Sequence, residues 1–157
     1  MDFIRYQPQL LMMNGLAHYG LGEPAKAKAY LENFQRIQPG TPLVKLLAQI
    51  KLSENNPKGA AILLEEYLKV QPRDSQAKSL LASAYIGQGL HQRAAQLMQE
   101  ALQEQESPML RTTLGISLLN AGDGKAGINE LEAAFRKDPR QTQAGVTLAT
   151  IYLKRGE

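Results

Sequence analysis

Residues 120–127 read Asn-Ala-Gly-Asp-Gly-Lys-Ala-Gly. Gly122, Gly124 and Gly127 have the G-x-G-x-x-G spacing with which backbone amides cradle a phosphate, and Lys125 could add a cation. A dinucleotide loop of this kind leaves a β-strand and opens a helix, with an acidic residue about 20 positions on for the ribose. Here a helical pattern precedes Gly122, and Thr142 stands at the acidic position. The other common phosphate loop needs a Gly-Lys-Ser/Thr triplet, and none occurs in the chain. No cofactor is therefore expected.

The remaining chemistry-bearing residues are sparse. There is no cysteine, which excludes disulfides, thiolate zinc sites and thiol nucleophiles. His18 and His91 are the only histidines. Neither has a second ligand at metal spacing, so His18 reads as a packing residue and His91 as the first residue of a helix. Ser79 and Ser83 sit on a helical face with no G-x-S-x-G nucleophile elbow. Glu65-Glu66 reads as a solvated face rather than an acid/base pair. The expectation is a protein that is not an enzyme and holds no metal.

Composition narrows the partners. With 18 Lys+Arg against 15 Asp+Glu the net charge is +3. The basic residues are scattered, whereas a nucleic-acid binder concentrates them in a stripe. The longest apolar runs, such as Ala60 to Leu64, fall far short of the roughly 20 residues of a membrane span. The beginning, MDFIRYQPQL, lacks the basic-then-apolar pattern of a signal peptide. Membrane attachment, if any, is expected only through a region outside these 157 residues.

The elements that position these residues follow from an internal repeat. Small residues recur at Gly15, Ala48, Ala82, Gly115 and Ala149, in steps of 33 or 34. Twelve residues behind them runs a second small series, Ala27, Ala60, Ala94 and Gly127. Four further on come Leu31, Leu64, Met98 and Leu131. Pro39, Pro72 and Pro139 close three copies; the remaining one, which begins near 75, has Glu106 there, with Pro108 just beyond. Within a copy the apolar spacing is helical, as in Leu110, Leu114, Leu118 and Ala121, then Ile128, Leu131 and Phe135. Each copy is thus two helices that cross closely, the small residues making room for bulky neighbours.

This pattern resembles the tetratricopeptide repeat, a helix–turn–helix unit of 34 residues. The third copy carries the likeness best: Leu81-Ala82-Ser83-Ala84-Tyr85, then Gly89, then Ala94. Copies begin near 8, 41, 75 and 108, with a half copy at 142. His18, Lys51 and Leu118 depart from the family's aromatic position, and Asn14 from its bulky one. The resemblance implies an all-α, right-handed superhelical solenoid of about four and a half repeats, one array over 1–157. Residues 1–7 read as the tail of a preceding helix and 142–155 as a first helix without its second, as in a piece cut from a longer array. On the repeat alignment Gly122 ends a first helix, Gly124 begins a second and Gly127 lies at the crossing.

In that family the first helices line the concave surface, and the position after the aromatic one points into it. Here it holds Tyr19, Leu52, Ile86, Leu119 and Leu153, all apolar. Neighbouring rows hold Met12, Lys45, Ser79, Thr112 and Val146, and Leu16, Gln49, Ser83, Ile116 and Thr150. The expected site is a groove for a partner peptide or helix. Packing alone is the competing reading of the row, and self-association through the end repeats is the alternative role. The rows lack a Lys/Asn/Arg set for clamping a C-terminal carboxylate; only Lys45 could contribute. A narrower likeness rests on Asn56 to Leu68, with Gly15 to Tyr19 and Arg36 to Pro39. These runs resemble the repeat lipoproteins of bacterial PEP-CTERM/exosortase systems, with polysaccharide-export repeat subunits as a rival. That likeness implies a periplasmic or membrane-anchored protein of a Gram-negative envelope, linked to exopolysaccharide and protein sorting. Without it, a cytoplasmic protein is expected.

Overall fold

The computed structural model describes residues 7–156; the proposed helix tail at the start of the chain lies almost wholly outside them. The described residues form nine α-helices and no strand. They divide into two compact units, one ending at Pro72 and the other beginning at Arg73.

Unit 1 contains α1 (Pro8–Gly20), α2 (Pro24–Ile37), α3 (Leu43–Ser53) and α4 (Pro57–Val70). Each helix packs on the next. Pro8, Pro24 and Pro57 stand at first helical positions, where a missing N–H costs nothing. α3 starts late because Thr41 and Pro42 wind into it through tighter i→i+3 bonds, Val44 N–H to Thr41 and Lys45 N–H to Pro42, both 3.1 Å. Its core is built from Ala27, Leu31, Leu47 and Ile50, with Leu43, Leu46 and Leu63 against them. Full burial of each such leucine or isoleucine stabilises by roughly 1.5–3 kcal/mol.

Unit 2 contains α5 (Ser75–Gly87), α6 (His91–Glu104), α7 (Pro108–Asn120), α8 (Gly124–Lys137) and α9 (Thr142–Arg155). Successive helices pack, and α5 also packs on α7. One core cluster joins Ile128, Leu131 and Ala134 of α8 to Ala144 and Leu148 of α9, with Ile116 and Leu119 of α7 against it.

The crossings follow the small-residue rule. Ala48, Ala60, Ala82 and Ala94 are fully buried. In the first copy a Cβ on Gly15 would stand 2.7 Å from the Leu31 side chain. Ala149 differs: it is exposed, because no described helix crosses α9 at that point. Two apolar positions read from the helical period also differ. Ala121 lies past the end of α7 and is exposed, and Phe135 is 40% exposed, its ring edge resting on Gly145.

Candidate functional site

The Gly122–Gly127 stretch joins α7 to α8, two helices, with no strand before it. Gly122 has φ +92°, the left-handed conformation that terminates a helix. Asn55 takes the same place after α3 with φ 57°, the one described non-glycine residue at positive φ. Asp123 caps α8: its carboxylate accepts the Ala126 N–H at 3.1 Å. That N–H is therefore not free for a phosphate. At Gly127 an added Cβ would meet the Gly115 carbonyl oxygen and the Leu119 side chain, each at 2.8 Å. Two glycines therefore face each other where α7 and α8 cross, and the loop is a structural crossing rather than an anion cradle.

Three devices serve the aromatic position of the repeat: a ring stack, a bond to a second-helix glutamate and a cation over a ring. His18 stacks on Tyr30, ring centres 5.3 Å apart and planes 7° apart. Its Nδ1 lies 2.6 Å from the Glu23 carboxylate. Glu23 also accepts from Lys26, and these two contacts, Lys26 first, hold its carboxyl below the usual glutamate range. Lys51 donates to Glu32 at 2.6 Å. Tyr85 carries the Arg93 guanidinium 4.8 Å above its ring. Tyr152 donates to Glu132. Glu32 and Glu132 hold the same place in their repeats, one on a second helix facing the following first helix, so the polar substitute recurs.

His91 opens α6 and lines a surface cavity of about 560 Å³ with Arg93, Gln96 and Asn120. Among the described residues no group of three or more His, Cys, Asp or Glu side chains could hold a metal ion. No described helix is long and apolar enough to cross a membrane. Ser83 donates to the Ser79 carbonyl of its own helix, and Ser79 pairs with Thr113 of α7 at 2.7 Å. The Ser79 hydroxyl thus ties α5 to α7, and the Ser83 hydroxyl bonds within its own helix.

The groove positions fall into two groups, one in each unit. In unit 1, Met12, Lys45 and Leu52 are half-buried, whereas Gln49, Leu16 and Tyr19 are exposed. Tyr19 is 45% exposed and its neighbour Met13 61%. In unit 2, Ser79, Ile86, Ile116 and Leu119 are half-buried, and Ser83 and Thr150 exposed. Val146 and Leu153 are 61% and 79% exposed. Thr112 is buried: its hydroxyl donates to the Pro108 carbonyl and reaches Gln141 before α9. Leu119 packs on Gly127 as well as facing outward. α1 is apolar on two sides, one against α2 and one in solvent.

Sorting by helix exposes a charge pattern that row-by-row reading missed. α1, α3, α5, α7 and α9 contain no aspartate or glutamate, yet they carry Lys45, Lys51, Lys78, Arg111, Lys154 and Arg155. Every carboxylate between residues 7 and 156 lies on a second helix or in a turn. Several of those cations reach back to them: Lys78 to Glu104 at 2.7 Å, and Arg111 to both Glu106 and Glu130 at 2.6 Å. The pattern was present in the sequence; assigning helices to faces was needed to see it.

Such an array of paired helices defines the class as an all-α helical repeat module. Residues 45–108 match the family model of the tetratricopeptide repeat. The match covers less than half of the chain, and the fold is that of solved tetratricopeptide-repeat structures. Among solved structures it resembles MamA, residues 41 to the end, from Desulfovibrio magneticus RS-1, at 22% identity and TM-score 0.75, over 86% of this chain and 77% of that one. It resembles YrrB, described as a tetratricopeptide protein with an unusual peptide-binding site, at 15% identity and TM-score 0.77, over 89% and 73%. A tetratricopeptide protein from Parabacteroides merdae ATCC 43184 matches at 17% identity and TM-score 0.74, over 95% and 60%. None of the curated proteins matches this chain in sequence.

Proposed function

We propose that the chain is a protein-interaction scaffold whose first helices bind a partner peptide or helix. The observation that carries this reading is the second, solvent-facing apolar side of α1 and α9, where Met13, Leu16, Tyr19, Val146 and Leu153 stand exposed. Apolar side chains left in water on helices whose other side is already buried are available for a partner. The description of YrrB as a peptide-binding repeat protein supports the same role. Tyr19→Glu with Leu16→Glu, and separately Leu153→Glu, should abolish capture of partners by the full chain while its helical circular dichroism is unchanged. Undiminished capture by these folded variants would sink the groove assignment.

Self-association is the second reading, favoured by the same exposed faces at the two ends of the array. Light scattering over a concentration series separates the two, because a strict monomer supports the partner-binding role alone. The likeness of Asn56 to Leu68, Gly15 to Tyr19 and Arg36 to Pro39 to envelope repeat lipoproteins supports a narrower setting, a Gram-negative exopolysaccharide and protein-sorting system. Fractionation of the native protein tests it; recovery in the soluble cytoplasmic fraction would overturn the envelope setting.

A further inference from the structure

We propose that unit 1 holds a pocket for a neutral phenol, in the cleft between α2, α3 and α4. The cleft measures about 480 Å³, within the range of small-ligand sites. Leu47 and Leu63 line it with apolar surface, and Glu32, Lys51 and Arg36 with polar groups. Lys51 and Glu32 neutralise each other at 2.6 Å, so a charged ligand would compete with a formed pair. Arg36 is bonded to the uncharged Asn33 side chain, which leaves its guanidinium able to attract the negative face of an aromatic ring. Gln35, also in the lining, supplies the hydrogen-bonding group. Its side-chain oxygen is buried and has no partner. That state costs stability, and a donor would relieve it. A half-turn about the soft last torsion of the amide presents the oxygen to a ligand in the cleft. A ring that carries a hydroxyl matches the apolar walls, the arginine and the acceptor together.

The equivalent cleft in unit 2 shows what sets this one apart. Between α6, α7 and α8 a cleft of about 470 Å³ is lined by Leu102, Leu114, Leu118 and Glu130. These stand at the repeat positions of Gln35, Leu47, Lys51 and Leu63. Glu130 is satisfied there by Arg111 at 2.6 Å. The Gln35 position holds Leu68, Leu102 and Phe135 in the other copies, all apolar. Packing is thus served by an apolar side chain at this position, and the unpartnered amide points to a ligand. None of the lining residues belongs to the groove rows of the first helices, so the pocket and the groove are tested separately.

The test titrates the isotope-labelled full chain, read by NMR, with three probes. They are p-cresol, its methyl ether, which keeps the ring and loses the donor, and N-acetyl-tyrosine amide. Shift changes should cluster on the cleft-lining parts of α2, α3 and α4. The cresol should bind about fivefold more tightly than the ether, the worth of one neutral hydrogen bond. Gln35→Leu should remove that preference and leave the ether's affinity unchanged. Leu63→Glu, which copies the unit 2 cleft, should abolish binding of both while the circular dichroism stays helical. Tyrosine amide bound as tightly as the cresol would support the pocket and assign it to a partner's tyrosine; binding of the cresol alone would support it and assign it to a free phenolic molecule. Equal affinities for cresol and ether in the parent chain would overturn the proposal. So would a preference that survives in Gln35→Leu, or shifts confined to other helices. No binding of any probe up to its solubility limit would overturn it too, and would leave the first-helix groove reading untouched.

Discussion

At the scale of single residues, the three glycines of the α7–α8 connection separate into three physical roles that substitution can tell apart. Gly127→Ala forces a Cβ to 2.8 Å from a backbone oxygen on the facing helix, which cannot swing aside as a side chain can. The expected cost is about 1–3 kcal/mol, read from urea unfolding. Gly122→Ala places an L-residue at φ +92° and should cost about 1–2 kcal/mol through backbone strain, with open space around it. Gly124→Ala, at the first position of α8 with nothing within 4 Å, should be neutral or stabilise by up to ~1 kcal/mol. In a phosphate loop the middle glycine is where the backbone approaches the phosphate, so a neutral Gly124→Ala also tests the structural assignment.

At the scale of helices, caps and cross-helix ion pairs fix where each element begins and how it meets the next. Asn56 accepts the Gly59 N–H at 2.9 Å and starts α4. Asn56→Ala should cost about 1 kcal/mol in thermal or urea unfolding. Arg111 links Glu106, in the turn before α7, to Glu130 on α8. Its hydrogen bond to Glu106 is the main cause that holds that carboxyl below the ordinary 4.5, with Lys137 adding a smaller attraction. A depressed folded-state pKa gives stabilisation that is complete above about pH 4.5 and lost as pH falls through the lower folded value. Arg111→Met should therefore destabilise at neutral pH, and the gap from the parent should narrow on acidification below that point. The pairs are partly exposed, so the gap should not exceed ~1 kcal/mol per pair. A gap that stays constant with pH would assign the effect to the arginine's alkyl packing instead.

At the scale of the molecule, each helix of a repeat array is held only by its neighbours. α8 is packed between α7 and α9, whereas α9 leaves Val146, Ala149 and Leu153 in solvent. Backbone amides of α9 should exchange faster than those of α8 by at least an order of magnitude in hydrogen-exchange mass spectrometry. Equal protection would mean that the exposed face is covered in solution, as self-association predicts, and the two experiments together discriminate those states.

The repeat itself was legible from sequence because its signals are local and periodic. Small residues every 33 or 34 positions, a proline after three of the four second helices and Gly or Asn at each turn act through backbone sterics that need no distant partner. The same locality dissolved the phosphate-loop motif, since Gly122, Gly124 and Gly127 each answer to a repeat position. What sequence could not give is which side of a first helix meets water. Thr112 and Ser79 occupy the same row, yet Thr112 is buried by its bond toward Gln141 and Ser79 is half-exposed. Leu119 and Leu153 occupy the same row too, but only Leu119 has a glycine opposite it to pack on. Equivalent positions in a repeat share a backbone; their exposure depends on the side chain that each neighbouring helix brings against them, and that is decided only when the helices pack.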